Sequence, residues 1–281
     1  MTESQRTIKN EVQFSGKALQ TGRSVDVVCR PGGLDSGVIF KRTDIPGAPA
    51  LHLKDVALSD EHDRRTTIGA GPVAIQTVEH FLAALWCLGI DNLEVEVNAP
   101  ELPATDGSAL GFLEKLKEAG IVEQSATRRI IKIQEIIEVK DGDRSLTISP
   151  DEKFRVSYLI DYKVKCIGRE VFEIDLDPAV FEKEIAPART FCTKREALFL
   201  FLAGFGRGAN LSNTLVLGNK GPFGTKFRFP NEPVRHKVLD LVGDLYMLGM
   251  PVLGRVVAEK SGHKLNGKLV EEIYKRYIES S

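Results

Sequence analysis

Net charge is almost absent from this sequence. Its 281 residues hold 38 Lys and Arg against 39 Asp and Glu, a formal charge of −1 at pH 7. A chain that grips phosphates across a broad surface carries a basic excess, so no nucleic-acid partner is expected. Cysteine is scarce as well. Cys29, Cys87, Cys166 and Cys192 are the 4 in the chain, and no two of them form a C-x-x-C pair. A thiolate metal site and a disulfide framework are therefore both disfavoured; each cysteine lies among apolar neighbours and reads as a small core residue. Long apolar runs are missing too. The longest are 81–90 and 197–205, well short of the roughly 18 residues of a membrane span. The start, Met1-Thr2-Glu3-Ser4-Gln5-Arg6, lacks the apolar stretch of a secretory signal. The expected location is cytoplasmic.

What is present describes a folded chain. Hydrophobic residues are 42% and charged residues 27% of the total, a balance that disordered chains lack, and the length suits one large domain or two small ones. The first third reads as strands and turns, with β-rich runs at 7–14, 24–29, 38–41 and 50–53. A strong helix follows, capped by Thr77, with Val78, Phe81, Leu82, Leu85 and Trp86 at helical spacing and Gly89 as its stop. Residues 93–97 alternate as a half-buried strand, and a helix covers 110–119. The polar stretch 123–129 reads as a linker. Strands then resume at 130–139, 146–149, 154–162 and 171–176, with Asp141-Gly142 as a hairpin turn. A short helix at 179–184 and a long one from 231 to 249 complete the pattern, before a strand at 255–259.

The two long helices end alike. Leu85-Trp86-Cys87-Leu88-Gly89 matches Leu245-Tyr246-Met247-Leu248-Gly249 in size and polarity, and each precedes a strand. This short repeat favours two α+β halves of similar plan meeting near residue 127, with a ligand site between them.

Chemistry-bearing residues collect on these helices. In 231–249, Val234, Val238, Leu241, Val242, Leu245 and Leu248 share an apolar face, while His236, Asp240, Gly243 and Asp244 lie on the other side. His236 and Asp240 are i,i+4 neighbours and can converge on one point; taken alone, the same spacing suits a solvated face. Glu79 and His80 open the other helix, where the positive terminus favours an ionised carboxylate and a neutral imidazole. Together the helices offer two His and one Asp, a ligand set for zinc with a position open for water, and Glu79 as a base. His263 stands in a Gly-containing turn after a strand, a suitable position for an acid. His52 and His62 have no expected role. The stretch 197–205 reads either as a buried helix or as a wall for a hydrocarbon chain. Gly204-Phe205-Gly206-Arg207-Gly208 lacks the strand-before, helix-after context of a phosphate loop.

The motifs taken jointly resemble one family, the UDP-3-O-acyl-N-acetylglucosamine deacetylases, zinc amidases of lipid A biosynthesis. The resemblance rests on Thr77-Val78-Glu79-His80, Ile90-Asp91-Asn92, Glu101-Leu102-Pro103-Ala104-Thr105-Asp106-Gly107-Ser108, Ala188-Arg189-Thr190-Phe191, Glu232-Pro233-Val234-Arg235-His236-Lys237-Val238-Leu239-Asp240, Gly243-Asp244-Leu245 and Ser261-Gly262-His263. They occur in order over nearly the whole chain. The resemblance implies an α+β fold of two similar domains, 1–126 and 127–281, each a β-sheet layered with helices, with the active site at their interface. It implies Zn2+ held by His80, His236 and Asp240, Glu79 as general base, Thr190 as oxyanion donor and His263 as acid oriented by Asp244. Lys237 and Phe191 would contact the acylated UDP-sugar, and 197–205 would belong to an insert in the second domain that houses the acyl chain. At most a transient membrane-surface contact and a monomeric state are expected.

The sequence departs from the family at two points. Gln20 stands where a His is usual, in Gly16-Lys17-Ala18-Leu19-Gln20-Thr21-Gly22, and Gly208-Ala209-Asn210 stands where Gly-Gly-Ser is frequent. The first implies a local change; the second bears on acyl-chain length. A catalytically silent two-domain binding protein would account for the fold and the apolar stretch. It gives no reason for Glu79, His80, His236, Asp240 and His263 to occur together.

Overall fold

The computed structural model describes residues 4–53 and 65–279; His62 lies outside them. Among the described residues there are six α-helices: α1 (Glu79–Leu88), α2 (Leu110–Glu118), α3 (Pro178–Glu184), α4 (Lys194–Leu202), α5 (Glu232–Leu245) and α6 (His263–Tyr277).

Two sheets share one plan. The first runs in the order Val12–Lys17, Ser24–Pro31, Leu93–Val97, Val38–Arg42, Leu51–His52. The second runs Ile137–Asp141, Arg144–Ser149, Val252–Glu259, Phe154–Asp161, Arg169–Leu176. In each, the central strand is the last one made, inserted antiparallel to one neighbour and parallel to the other. Ile131–Lys132 adds a further strand to the second sheet, parallel to Val252–Glu259. The fold is α+β, and its two halves repeat the same strand order and the same parities.

The helices repeat as well. α1 ends at Gly89 (φ 65°) and the 3-10 turn after α5 ends at Gly249 (φ 71°), each a left-handed residue that releases the chain toward a central strand. The repeat read from Leu85–Gly89 and Leu245–Gly249 is thus the visible end of a longer correspondence. Both helices are buried nearly all round, because each is covered by its own half on one side and by the other helix on the opposite side.

Several local expectations change. The stretches 7–14 and 130–139 each divide into two strands, the first at a turn where Lys9 N and Asn10 N bond to the carbonyls of Gly120 and Ala119. The expected linker is ordered: Ile121–Thr127 pairs antiparallel with Ser4–Ile8, and Arg128 is buried against Asp91, Nε to Oδ1 2.8 Å. Its polar character is that of a ribbon wet on one face. Thr77 does not cap α1. It has φ 58° and donates its hydroxyl to Glu101 Oε1 at 3.1 Å, while Val78 holds the N-cap position. α4 is not a buried helix, since none of its residues is buried. Cys29 and Cys87 are buried and Cys166 and Cys192 partly so, none of them in a disulfide.

The contact of α1 with α5 depends on one missing side chain. A Cβ on Gly243 would lie 2.0 Å from the Glu79 carbonyl oxygen, a separation that neither backbone can accept without moving. Gly243→Ala is expected to lower stability by about 1–3 kcal/mol, the usual range for overpacking, measured by denaturant unfolding. An unchanged midpoint would show that the helices have slack here.

Candidate active site

Each half supplies part of one cluster, and each part is anchored by a buried carboxylate. On the α1 side the anchor is Glu101, fully buried. Its oxygens accept from Gln20 N at 2.8 Å, Thr21 N at 2.9 Å, Thr21 Oγ1 at 3.0 Å and Thr77 Oγ1 at 3.1 Å. The entry to α1 is therefore tied to the Gln20–Thr21 turn, which fixes where Glu79 and His80 begin the helix. On the α5 side the anchor is Glu232. It accepts from Arg189 N at 3.0 Å and Arg189 Nε at 2.9 Å, and from Arg228 N at 2.6 Å. That ties Ala188-Arg189-Thr190-Phe191 to the first turn of α5. The carbonyl of Ala188 then faces His236 Nδ1 at 3.0 Å, and the Phe191 and His236 rings meet edge to face, centroids 6.3 Å apart. Thr190 is held through its backbone, donating to Gly107 O at 2.7 Å and accepting from Leu215 N at 2.9 Å.

At the centre, His80, His236 and Asp240 each present one ligand atom, all within 4.8 Å of one another and all buried. Asp240 Oδ1 lies 3.5 Å from His80 Nε2 and 3.3 Å from His236 Nε2. Among the described residues no hydrogen-bond donor pairs with this oxygen, although leaving a carboxylate oxygen buried and unpaired is costly. His236 commits Nδ1 to a backbone carbonyl, the arrangement that turns the other nitrogen of a histidine toward a metal. Burial pushes the His236 pKa down to about 3, which leaves it neutral as a ligand must be. Two neutral nitrogens and one carboxylate oxygen, with one oxygen unpartnered, fit a divalent metal of borderline softness.

The charges around this centre are matched. Burial opposes the Asp240 carboxylate, yet His236, Lys237 and His263 hold its pKa well below the usual carboxylate range. Lys237 and His263 dominate, because His236 is itself neutral. Lys237 Nζ donates to Asp240 Oδ2 at 2.6 Å; burial works against its charge and Asp240 more than restores it. Asp244, one turn on, is engaged by other groups. It accepts from Thr66 Oγ1 and, at 2.8 Å, from Asn266 Nδ2, and its Oδ2 lies 2.9 Å from His263 Nδ1. His263 opens α6, where both burial and the helix terminus oppose a cation. Asp244, Asp240 and Glu79 outweigh them, and its pKa rises to about 9. Glu79 departs from expectation. Burial outweighs the helix terminus and raises its pKa, with His263 and His80 pulling the other way. Its Oε2 accepts from Thr66 N at 3.0 Å.

These residues line one cavity of about 640 Å³. Glu79, His80, His236, Lys237, Asp240 and His263 form its polar floor, with Thr190 and Phe191 beside them, and Arg65, Arg144 and Lys260 add positive charge. Leu200, Phe201, Phe205, Leu211 and Val216 form an apolar end. Of the site residues read from sequence, only Asp244 lies behind the wall, one hydrogen bond from it. Gln20 lines the cavity too, and its Oε1 accepts from Gly206 N at 3.2 Å; Ala209 and Asn210 stand on the same side. His52 is not part of the cavity. Thr66 and Asn266 were not singled out by sequence, and Glu101 and Glu232 stood only as ends of family-like segments with no role assigned. Most of the partners that define them are distant in the chain.

Residues 5–275 match the family described as UDP-3-O-acyl N-acetylglycosamine deacetylase. The chain is similar to proteins named UDP-3-O-acyl-N-acetylglucosamine deacetylase from several bacteria. It is 39% identical to one from an Anaeromyxobacter species, over 96% of this chain and 88% of the relative. It is 40% identical to one from Acidithiobacillus ferrooxidans, over 97% and 90%, and 39% identical to one from Haemophilus influenzae, over 96% and 89%.

A ligand set of this kind has a consequence independent of any reaction. Adding Zn2+ to metal-free protein is expected to raise its stability, by about 2.7 kcal/mol at a hundredfold excess over Kd. Asp240→Ala should abolish most of that rise in thermal unfolding. An equal rise in the variant would rule out Asp240 as a ligand.

Proposed function

The chain belongs to the UDP-3-O-acyl N-acetylglycosamine deacetylase family, and from that membership we propose that it hydrolyses the acetamide of a UDP-3-O-(3-hydroxyacyl)-N-acetylglucosamine. The products are acetate and the free 2-amine, and the step belongs to lipid A biosynthesis in the cytoplasm. The observation that carries this reading is one cavity joining Glu79, His80, His236, Asp240 and His263 to an apolar end. The catalytic unit is a monomer of two domains, 1–126 and 127–281. The separate sheets of equal strand order support that division.

His80, His236 and Asp240 hold Zn2+, which when bound supplies Lewis acidity to the attacking water and to the acetamide carbonyl. Glu79 is the general base. With Oε2 held by Thr66 N, the other oxygen takes the proton of the water, and the raised pKa makes the carboxylate a stronger base than a solvated one. The Thr190 hydroxyl donates to the carbonyl oxygen as negative charge grows there. His263 is the acid. Its Nδ1 is held by Asp244, so Nε2 delivers the proton to the departing amine nitrogen, and a pKa of about 9 keeps that proton in hand at neutral pH. Lys237 and Phe191 contact the substrate. Arg144 and Lys260 at the cavity wall supply charge suited to a diphosphate, and the apolar end receives the acyl chain.

Glu79→Ala is expected to lower kcat for acetate release by about 10²–10⁴-fold, the usual share of a general base, while metal content measured by elemental analysis stays at the parent level. Turnover retained by that variant would remove Glu79 as the base. Chelation should stop acetate release from the acylated sugar nucleotide and added Zn2+ restore it; deacetylation that survives chelation would end the metal-dependent reading.

A further inference from the structure

Exposed apolar surface on this protein is concentrated in one segment. Eleven large hydrophobic side chains are exposed among the described residues, and seven of them, Leu198, Phe199, Phe201, Leu202, Phe205, Leu211 and Phe223, fall within a single stretch. α4 is apolar on both sides. Ala197, Leu200 and Phe201 line the cavity, whereas Leu198, Phe199 and Leu202 do not, and these three are 61%, 65% and 75% exposed. A helix of nine residues that faces water with three large apolar side chains carries a patch of the kind that marks an interaction surface.

The charge of the same segment identifies the partner. Residues 191–231 contain Lys194, Arg195, Arg207, Lys220, Lys226 and Arg228 against the single acid Glu196, in a chain whose net charge is −1. Lys194 Nζ sits 4.9 Å over the exposed Phe223 ring, so cation and apolar surface are interleaved and not segregated. A second copy meeting this patch through a twofold axis would set like charges against each other. A bilayer surface with anionic headgroups offers apolar depth and negative charge together. We propose that the outer face of α4, with Phe223 and the flanking basic side chains, docks on an anionic lipid surface. A single acyl chain leaving that surface would then enter the cavity past the inner face of the same helix. This last consequence rests on the deacetylase reading; the docking does not.

The test is co-sedimentation of the full chain with vesicles of phosphatidylglycerol and phosphatidylethanolamine, compared with phosphatidylcholine alone. The intact protein should partition onto the anionic vesicles and be released by salt. Leu198→Ser with Phe199→Ser and Leu202→Ser in one variant should reduce partitioning by at least about tenfold, with unfolding midpoint as the check on folding. Arg195→Glu should reduce it more modestly and weaken the salt dependence. Absence of partitioning, equal partitioning onto both vesicle types, or a triple variant that binds like the parent would each overturn the proposal. So would a dimer in sedimentation velocity that the triple variant disperses while neither protein binds vesicles, which would assign the patch to a second copy. Because the experiment reads no turnover, its failure is separate from failure of the proposed reaction.

Discussion

The approach of α1 to α5 at Gly243 governs the rest of the molecule. Glu79 and His80 come from a helix that covers one sheet, and His236, Lys237 and Asp240 from a helix that covers the other. The two sets share a cavity only because the α5 backbone can lie against the Glu79 carbonyl without a side chain between them. Close approach also explains why a helix carrying two Asp and one His is buried and not solvated. Each helix is the other's cover. Polar groups that would ordinarily face water instead face across a narrow seam, where charges act at reduced dielectric and small displacements matter.

That burial is tolerable because the charges are assigned in pairs. Asp240 and Asp244 stand i,i+4, a spacing at which like charges repel by about 0.2–0.5 kcal/mol even on an exposed helix, and by more in a dry seam. Lys237 neutralises the first and His263 the second, with Thr66 and Asn266 completing the acceptor positions of Asp244. What stays uncompensated is Asp240 Oδ1. Removing one partner from a buried ionic group typically costs about 3–5 kcal/mol, so an oxygen left in this condition between two imidazoles is better understood as a ligand than as a structural acceptor. The same pairing separates the two acid–base groups. Glu79 is raised by burial and His263 by its carboxylate neighbours, which gives one site two titratable groups in distinct environments.

Helical spacing, turn glycines and the positions of three histidines were legible in the sequence because each is a local signal. Gly89 and Gly249 follow apolar stripes of the right period, and His236 and Asp240 are one turn apart whatever the rest of the chain does. The anchors were not legible. Glu101 looks like a loop acid between two prolines, and Glu232 like a first-turn acid of α5; their burial arises from donors at Gln20, Thr21, Thr77, Arg189 and Arg228, which only the fold gathers. Much of the motif set proves to be scaffold in the same way. Asp91 holds Arg128 and the backbone of Arg6, and Asp106 holds Arg228 and Ser108. α4 stayed between two readings for a different reason: an apolar run carries no information about which of its faces is covered.

The repeat explains why the site is asymmetric although the halves are alike. The register that sets Gly249 against Gly89 also sets Asp240 against His80 and Gly243 against Ala83. Equivalent positions thus supply one candidate ligand each, and the glycine on one helix admits the backbone of the other. The remaining candidate ligand, His236, has no counterpart, because α5 begins at Glu232 whereas α1 begins only at Glu79, the equivalent of Leu239. The extra N-terminal residues of α5 carry Glu232, His236 and Lys237, whereas the matching stretch before α1 is a 3-10 turn and a short strand, Ile75–Gln76, followed by Thr77 with a left-handed φ of 58°. α1 therefore starts at Glu79 and the candidate ligand His80, and Glu79 occupies a position whose equivalent, Leu239, is an apolar core residue. The later start of α1 leaves Glu79 on the cavity wall beside the candidate ligands. The earlier start of α5 adds the third candidate ligand, His236, and Lys237, whose Nζ donates to Asp240 Oδ2.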